Sequence, residues 1–210
     1  MKNNRKYHPR KVDDLVISDP DTRQRIAEYA NGTRTDNLIL HGPRGTGKSS
    51  AAQVIAETRC GDPDLVQPYA GADFTAETFD KILYDWQWQQ INGVEYPTIV
   101  IDEIDQIKPL DQHRMRSFVE RHTWGSIIGT TNNLHKLDRP LVDRFDQVEL
   151  PPVETDAWIS RACDIFTAEG VDHTPEIART IVATNNGSIR DTLRAIDDYV
   201  IAKRNGKQSV

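Results

Sequence analysis

Apolar positions along this chain fall into two rhythms that take turns. Short stretches centred on apolar residues at 37–41, 97–102, 126–130 and 147–150 read as strands, with a weaker one near 65–69. Between them apolar residues return every three or four positions, the spacing of a helix with one buried face. Over 21–30 that face carries Ile26, Tyr29 and Ala30, and Asn31-Gly32 supplies the stop. Over 48–60 it carries Ala51, Ala52, Ile55 and Ala56, with Gly61 as the stop. Further helices are expected over 76–90 and 111–121. Strands alternating with helices argue for an α/β domain of three layers, α/β/α, around a mainly parallel five-stranded sheet.

After Pro151-Pro152 the pattern changes, and only helices are expected, over 155–168, 175–184 and 188–203. Thr174 before Pro175 suits a helix start with proline at its first position. Ser188 with Asp191 three residues on resembles a capping box. The first 20 residues mix charge with a short apolar kernel, Leu15-Val16-Ile17, and read as an arm laid over the domain. The expected division is an arm over 1–20, an α/β domain over 21–150, a small helical domain over 151–205 and a tail over 206–210. No internal repeat and no low-complexity tract is visible.

Composition narrows the function. A length of 210 residues suits one ordinary domain with a small appendage. The longest apolar runs are about five residues, against the ~20 that a membrane helix needs, so no membrane span is expected. The opening Met1-Lys2-Asn3-Asn4-Arg5-Lys6 has no apolar stretch behind it, which argues against a secretory signal. Cys60 and Cys163 are the two cysteines; they make neither a disulfide framework nor a zinc site, and a reducing, cytoplasmic setting is expected. The net charge is −6, so any DNA contact has to come from a local patch or from assembly of several subunits.

The chemistry begins where a strand, a glycine-rich turn and a helix follow one another. Gly42-Pro43-Arg44-Gly45-Thr46-Gly47-Lys48-Ser49 fits the spacing G-x-x-x-x-G-K-[ST] of a phosphate-binding loop. Such glycines let the backbone turn its N–H groups toward phosphate oxygens, and the helix that follows adds its positive end. Lys48 is placed to reach the β- and γ-phosphates of ATP, and Ser49 to ligate Mg²⁺. Downstream, Thr98-Ile99-Val100-Ile101-Asp102-Glu103 is a buried strand ending in two carboxylates. Asp102 is placed to hold Mg²⁺ through water, and Glu103 to polarise the attacking water.

With these two motifs in order, the chain resembles the AAA+ ATPases, and among them the ATPase domains of sliding-clamp loaders such as replication factor C small subunits. The resemblance runs over roughly residues 7 to 204. Tyr7-His8-Pro9-Arg10-Lys11-Val12-Asp13-Asp14-Leu15-Val16 is similar to the family's opening segment, which borders the adenine and brings in Val16. Ile101-Asp102-Glu103-Ile104-Asp105 resembles its D-E-A-D box, and 111–120 the helix that follows. Gly129-Thr130-Thr131-Asn132 resembles sensor 1, which implies that Asn132 contacts the γ-phosphate or the water. Pro140-Leu141-Val142-Asp143-Arg144-Phe145 stands where the family has P-I-x-S-R-C, which makes Arg144 the counterpart of an arginine finger acting on a neighbouring subunit. Asp143-Arg144-Phe145 departs from the clamp-loader S-R-C triplet toward the general AAA+ form. Gly187-Ser188-Ile189-Arg190 resembles the start of sensor 2, so Arg190 would lean from a helical lid onto the nucleotide. Arg139 and Arg194 lie close enough to substitute for these two arginines.

The resemblance implies a nucleotide-binding set of Val16, Gly42, Pro43, Arg44, Gly45, Thr46, Gly47, Lys48, Ser49, Ser50 and Arg190. It implies metal ligation by Ser49 and Asp102, and catalytic roles for Glu103, Asn132, Arg144 and Arg190. ATP and Mg²⁺ are the implied cofactors. Implied partners are further copies of the chain or related AAA+ subunits, with DNA or a DNA-bound protein as the object acted on. Clamp-loader subunits continue into a collar domain that this sequence lacks, so assembly is expected to depend on ATPase-domain contacts, partner chains or DNA. The competing readings are a nucleotide-gated scaffold or remodeller with no DNA contact, and a small-molecule kinase, which would leave the sensor and lid motifs unexplained. Two features stay open. Trp86 and Trp88 are two apart and cannot face the same way on a helix: either one packs inward while the other faces a partner or a base, or both are held between helix and sheet. Arg114, Arg116, Arg121 and His122 form either a solvated helix face or a DNA-facing patch.

Overall fold

A computed structural model describes residues 7–207, with side chains through Asn205. Five strands pair in parallel throughout: β1 (Leu38–His41), β2 (Pro68–Ala70), β3 (Thr98–Asp102), β4 (Ser126–Thr131) and β5 (Asp146–Glu149). Their order across the sheet is β2-β3-β4-β1-β5. Alternate residues of a strand face opposite sides, and both sides are apolar here. Leu38, Leu40, Val100, Ile128 and Val148 enter one cluster, closed by helices α1 (Pro20–Ala30) and α2 (Lys48–Cys60). Ile39, Ile99, Ile101 and Ile127 enter the other, closed by α3 (Ala76–Ile91), α4 (Pro109–Arg121) and the short α5 (Arg139–Val142). The sheet is therefore the middle of three layers, as the alternation of strands and helices predicts.

Three helices follow, α6 (Thr155–Ala168), α7 (Pro175–Thr184) and α8 (Ile189–Lys207). They have a core of their own, with Trp158, Ala162, Phe166, Ala178, Val182, Ile196 and Val200 at its centre. Tyr7 and Val16 of the arm pack against that core, while Leu15 joins the cluster under α1 and α2. The arm thus bridges the helical bundle and the sheet.

Several boundaries differ from expectation for identifiable reasons. The weak strand near 65–69 lies instead at Pro68–Ala70, because Asp62 caps a 3-10 turn over Pro63–Leu65 through the Asp64 N–H at 2.9 Å. An edge strand tolerates the proline at its first position. Strand β5 runs one residue earlier than expected, since pairing with β1 begins at Leu38 and Asp146. Helix α1 starts at Pro20, with Asp19 accepting the Thr22 N–H at 2.8 Å as its cap. Helix α4 begins at Pro109, before the expected 111, again with proline in the first turn. Helix α8 continues to Lys207, past the expected end at 203 and into the first two residues of the expected tail. Residues 1–6 of the expected arm and 208–210 of the tail lie outside the described residues. Among the described residues no helix is long and apolar enough to cross a membrane, and Cys60 and Cys163 are both free.

Trp86 is fully buried, while Trp88 is half exposed. Trp86 packs edge-on to Trp124 and tilted over Phe118, with centroids 5.3 and 5.6 Å apart. Trp88 joins Tyr84 and Ile91 in an exposed stripe at helical spacing. Two members of the basic stretch of α4 have partners within the fold. Arg114 pairs with Asp111 at 2.9 Å, and His122 lies on the Phe118 ring at 4.7 Å.

Candidate functional site

Because every strand runs the same way, β1, β3 and β4 end on one edge of the sheet, the edge where open α/β sheets take ligands. A cavity of about 580 Å³ opens there between the sheet and the helical bundle. The loop after β1 supplies its floor. Gly42, Gly45 and Gly47 have φ of 139°, 82° and 89°, values that residues with a Cβ seldom adopt. Gly47 occupies the cap position of α2 with no side chain bonded to the first turn, so the leading N–H groups of that helix stay available.

Lys48 is buried, and its Nζ donates to the carbonyls of Gly42, at 2.9 Å, and Pro43. Gly42 and Pro43 thus hold the lysine without themselves lining the cavity, whereas Arg44 through Ser50 do line it. Burial lowers the Lys48 ammonium to about 8, with Arg190 adding to the depression and Asp102 and Asp105 opposing it. A lysine so placed favours an anionic group beside it, which stabilises its charged form.

The acidic side of the cavity comes from β3 and β4. Ser49 Oγ donates to Asp102 Oδ1 at 2.7 Å, and Thr130 Oγ1 donates to the same oxygen. Glu103 follows in a left-handed backbone conformation, φ 53° and ψ 50°, and its carboxylate accepts from Gln106 Nε2. One strand over, Thr131 Oγ1 donates to Asp105 Oδ1 at 2.6 Å and accepts the Asn133 N–H at 2.8 Å, which fixes the turn that carries Asn132. Asn132 lines the cavity.

The helical bundle supplies the opposite wall. Ile189 donates its N–H to the Gly45 carbonyl at 2.8 Å, so the first turn of α8 hangs directly from the phosphate loop. An added Cβ at Gly45 would meet Ser188 Oγ at 2.4 Å. Ser188 Oγ accepts the Asp191 N–H at 3.3 Å and donates to its carboxylate at 2.7 Å, while the Ser188 N–H donates to the Asn185 carbonyl at 2.9 Å, so only one of the two bonds of the expected capping box forms. Arg190 lines the cavity, while Arg194 is turned to Asp191 at 3.2 Å. Val16 of the arm completes the wall, with Tyr7, His8 and Pro9 beside it, and His8 Nε2 lies 3.3 Å from Ser50 Oγ.

The structure therefore brings together Val16, Arg44 to Ser50, Asp102, Glu103, Asn132 and Arg190. Arg144 does not belong to this group. It follows α5, and its Nε donates to Glu120 Oε1 at 2.6 Å. Residues that the sequence reading missed are Thr130, Gln106, and Trp158 and Arg161 of α6, all but Gln106 lining the cavity. Trp158 and Arg161 are three apart in a helix, a spacing that places both on one face.

A glycine loop on a buried lysine, two carboxylates at the end of β3 and an arginine from a helical cover define a P-loop nucleotide site. The chain belongs to the ATPase family associated with various cellular activities (AAA), which it matches over residues 38–153. It is similar to replication factor C subunit 4 of Encephalitozoon cuniculi, 23% identical over 193 residues, and to the replication factor C small subunit of Halobacterium salinarum, 24% identical over 195. These matches cover 91% of this chain and 62% and 60% of the two relatives, so the chain spans about three fifths of their length. In fold it is similar to the Thermotoga maritima RuvB Holliday junction branch migration motor, with a TM-score of 0.73 at 19% identity, over 91% of this chain and 64% of that one.

Proposed function

We propose that the chain binds ATP with Mg²⁺, hydrolyses it, and works as one subunit of a nucleotide-dependent oligomeric switch on DNA or on a DNA-bound protein, in the manner of a clamp loader. The observation that carries this reading is the single cavity lined by Lys48, Ser49, Asp102, Glu103, Asn132 and Arg190 while Arg144 is held elsewhere. The loop N–H groups and Lys48 take the phosphates. Ser49 Oγ and Asp102 meet at 2.7 Å, which suits a small cation held by few protein oxygens and several waters. When bound, Mg²⁺ would neutralise charge on the β- and γ-phosphate oxygens. Glu103 polarises the attacking water, Asn132 orients it or the γ-phosphate, and Arg190 reads the nucleotide from the helical lid. Arg144 serves the site of a neighbouring subunit, where its planar, permanently charged fork meets charge developing on the γ-phosphate.

A second reading, a nucleotide-gated protein remodeller with no DNA contact, draws on the net charge of −6 and the exposed stripe of Tyr84, Trp88 and Ile91. ATPase assays with and without DNA, read beside mass measurement of the assembly in each nucleotide state, separate the two. DNA stimulation of hydrolysis in an oligomer supports the first. Assembly and turnover that ignore DNA at every concentration favour the second. One small species in every nucleotide state, with no turnover, sinks both.

A further inference from the structure

Glu103 is one of two non-glycine residues with positive φ among the described residues, the other being Asn186. A left-handed backbone disfavours a side-chain-bearing residue and persists only where its surroundings fix it. Gln106 donates its N–H to the Glu103 carbonyl at 2.9 Å and its Nε2 to the carboxylate, and three further contacts bear on the Glu103 backbone. The Glu103 N–H donates to the Thr130 hydroxyl at 3.2 Å. Gly71 approaches so closely that an added Cβ would meet the Glu103 carbonyl oxygen at 2.1 Å. Ile104, fully buried, packs over Gly129, where an added Cβ would meet its Cδ1 at 2.9 Å.

Of the three, only the Thr130 contact also reaches the neighbouring carboxylate. Parallel register sets Ile101 beside Gly129, which carries Thr130 to the level of Asp102. There its hydroxyl, on a residue 2% exposed, donates to Asp102 while it accepts from Glu103. A hydroxyl has one proton to give and lone pairs to receive with, so it can serve both partners at once. Valine has nearly the same shape and can serve neither. Asn132 stands two residues further along the same chain segment, so one buried hydroxyl ties the strand that carries it to the peptide that aims Glu103.

We infer that Thr130 is a positioning residue for hydrolysis: it holds the Glu103 peptide in its left-handed state and thereby sets where the carboxylate points. This rests on the reading of Glu103 as the group that polarises water. The reading and the inference fail in distinguishable ways. Thr130→Val, Thr130→Ser and Glu103→Gln are compared in the full chain by steady-state ATP hydrolysis, by affinity for a fluorescent non-hydrolysable ATP analogue and by thermal melting. Thr130→Val should lose roughly tenfold to a hundredfold in kcat, the scale on which small misplacements of reacting groups act, with KM and analogue affinity near the parent's. Thr130→Ser should keep most of the rate. Added to Glu103→Gln, Thr130→Val should lower the residual rate no further, because the two act through one carboxylate. Thr130→Ala replaces Thr130→Val if the latter does not melt cooperatively. Parent-like kcat in Thr130→Val, or equal losses in Thr130→Val and Thr130→Ser, overturns the inference while leaving Glu103 in place. Normal turnover in Glu103→Gln, or no turnover in the parent, overturns the reading beneath it.

Discussion

The Arg144 guanidinium is closed onto Glu120: its Nε donates to Glu120 Oε1 at 2.6 Å, its Nη2 pairs with the same oxygen, and its Nη1 donates to the Pro140 carbonyl. The pair joins the end of α4 to the segment after α5. Arg144 is 32% exposed and Glu120 49%, so the pair lies in the range of ~0–1 kcal/mol found for solvated ion pairs. An arginine supplied to developing γ-phosphate charge can be worth ~10³-fold or more in rate. Under the proposed role of Arg144 at a neighbouring subunit's nucleotide, so weak a pair would be given up to reach it. Glu120→Ala should raise assembly-dependent hydrolysis by no more than about fivefold, the rate equivalent of such a pair. Arg144→Ala should keep ATP binding and lose most of that hydrolysis. Mixed with Lys48→Ala subunits, which lack ATP but keep Arg144, it should recover part of the rate. Full activity of Arg144→Ala alone removes the residue from the mechanism and leaves Arg139 as the next to test.

Glu103→Gln should bind ATP with Mg²⁺ and hydrolyse it roughly 10²-fold more slowly or worse, since the water loses its polarising carboxylate while the phosphate loop is untouched. Single-turnover assays beside analogue binding separate the two effects. Unchanged turnover would mean that another group activates the water.

Lys48 gives a pH-dependent signature. Its ammonium sits at about 8 in the free chain, against an ordinary 10.5. Between those values the folded chain holds fewer protons at this site than the unfolded one, so Lys48 makes the free protein gain stability as pH rises through that window. A triphosphate in the loop restores the charge, so binding near pH ~8.5 should take up protons from the buffer. Calorimetry in two buffers of different ionisation enthalpy reads that uptake directly. Lys48→Arg, whose charge is permanent, should bind without it. Buffer-independent heats in the parent would show that the lysine is already charged before ATP arrives.

The tryptophans of α3 should behave oppositely under denaturant. Trp86→Ala empties a fully buried site and should cost ~3–5 kcal/mol, while Trp88→Ala should stay within ~0.5 kcal/mol. An added Cβ at Gly125 would meet the Trp86 ring at 2.5 Å, so Gly125→Ala should cost ~1–3 kcal/mol by overpacking. Urea titrations compare the three, and a large loss in Trp88→Ala would mean that its ring is covered in solution.

Periodicity and loop chemistry make the layers and the cradle readable before any coordinates. Glycines at 42, 45 and 47 announce a backbone that other residues resist, and carboxylates after a buried run announce an edge of a sheet. Trp86 and Trp88 are separable by helical spacing, yet spacing alone does not say which is inside; Gly125, 39 residues away, leaves the space that Trp86 fills. Thr130 was unreadable as a functional residue, because a threonine ending an apolar strand looks like any β-branched strand residue until register sets it beside Asp102. Glu120 and Arg144 are 24 positions apart on elements that periodicity treats separately, so their pairing appears only once the chain has folded. The strand near 65–69 was misplaced because its apolar residues, Leu65 and Val66, are spent on a capped turn and its sequel rather than on the sheet.

The bond from the Ile189 N–H to the Gly45 carbonyl is made entirely of main-chain atoms. Its existence is indifferent to the identity of the side chain at 189, and at 45 the tight approach of Ser188 requires that there be almost none. Of the twenty residues only proline, which has no N–H, would sever the link outright at 189. A contact made this way can tolerate wide drift at position 189, because what joins the cover to the cradle there is shared by nearly every amino acid.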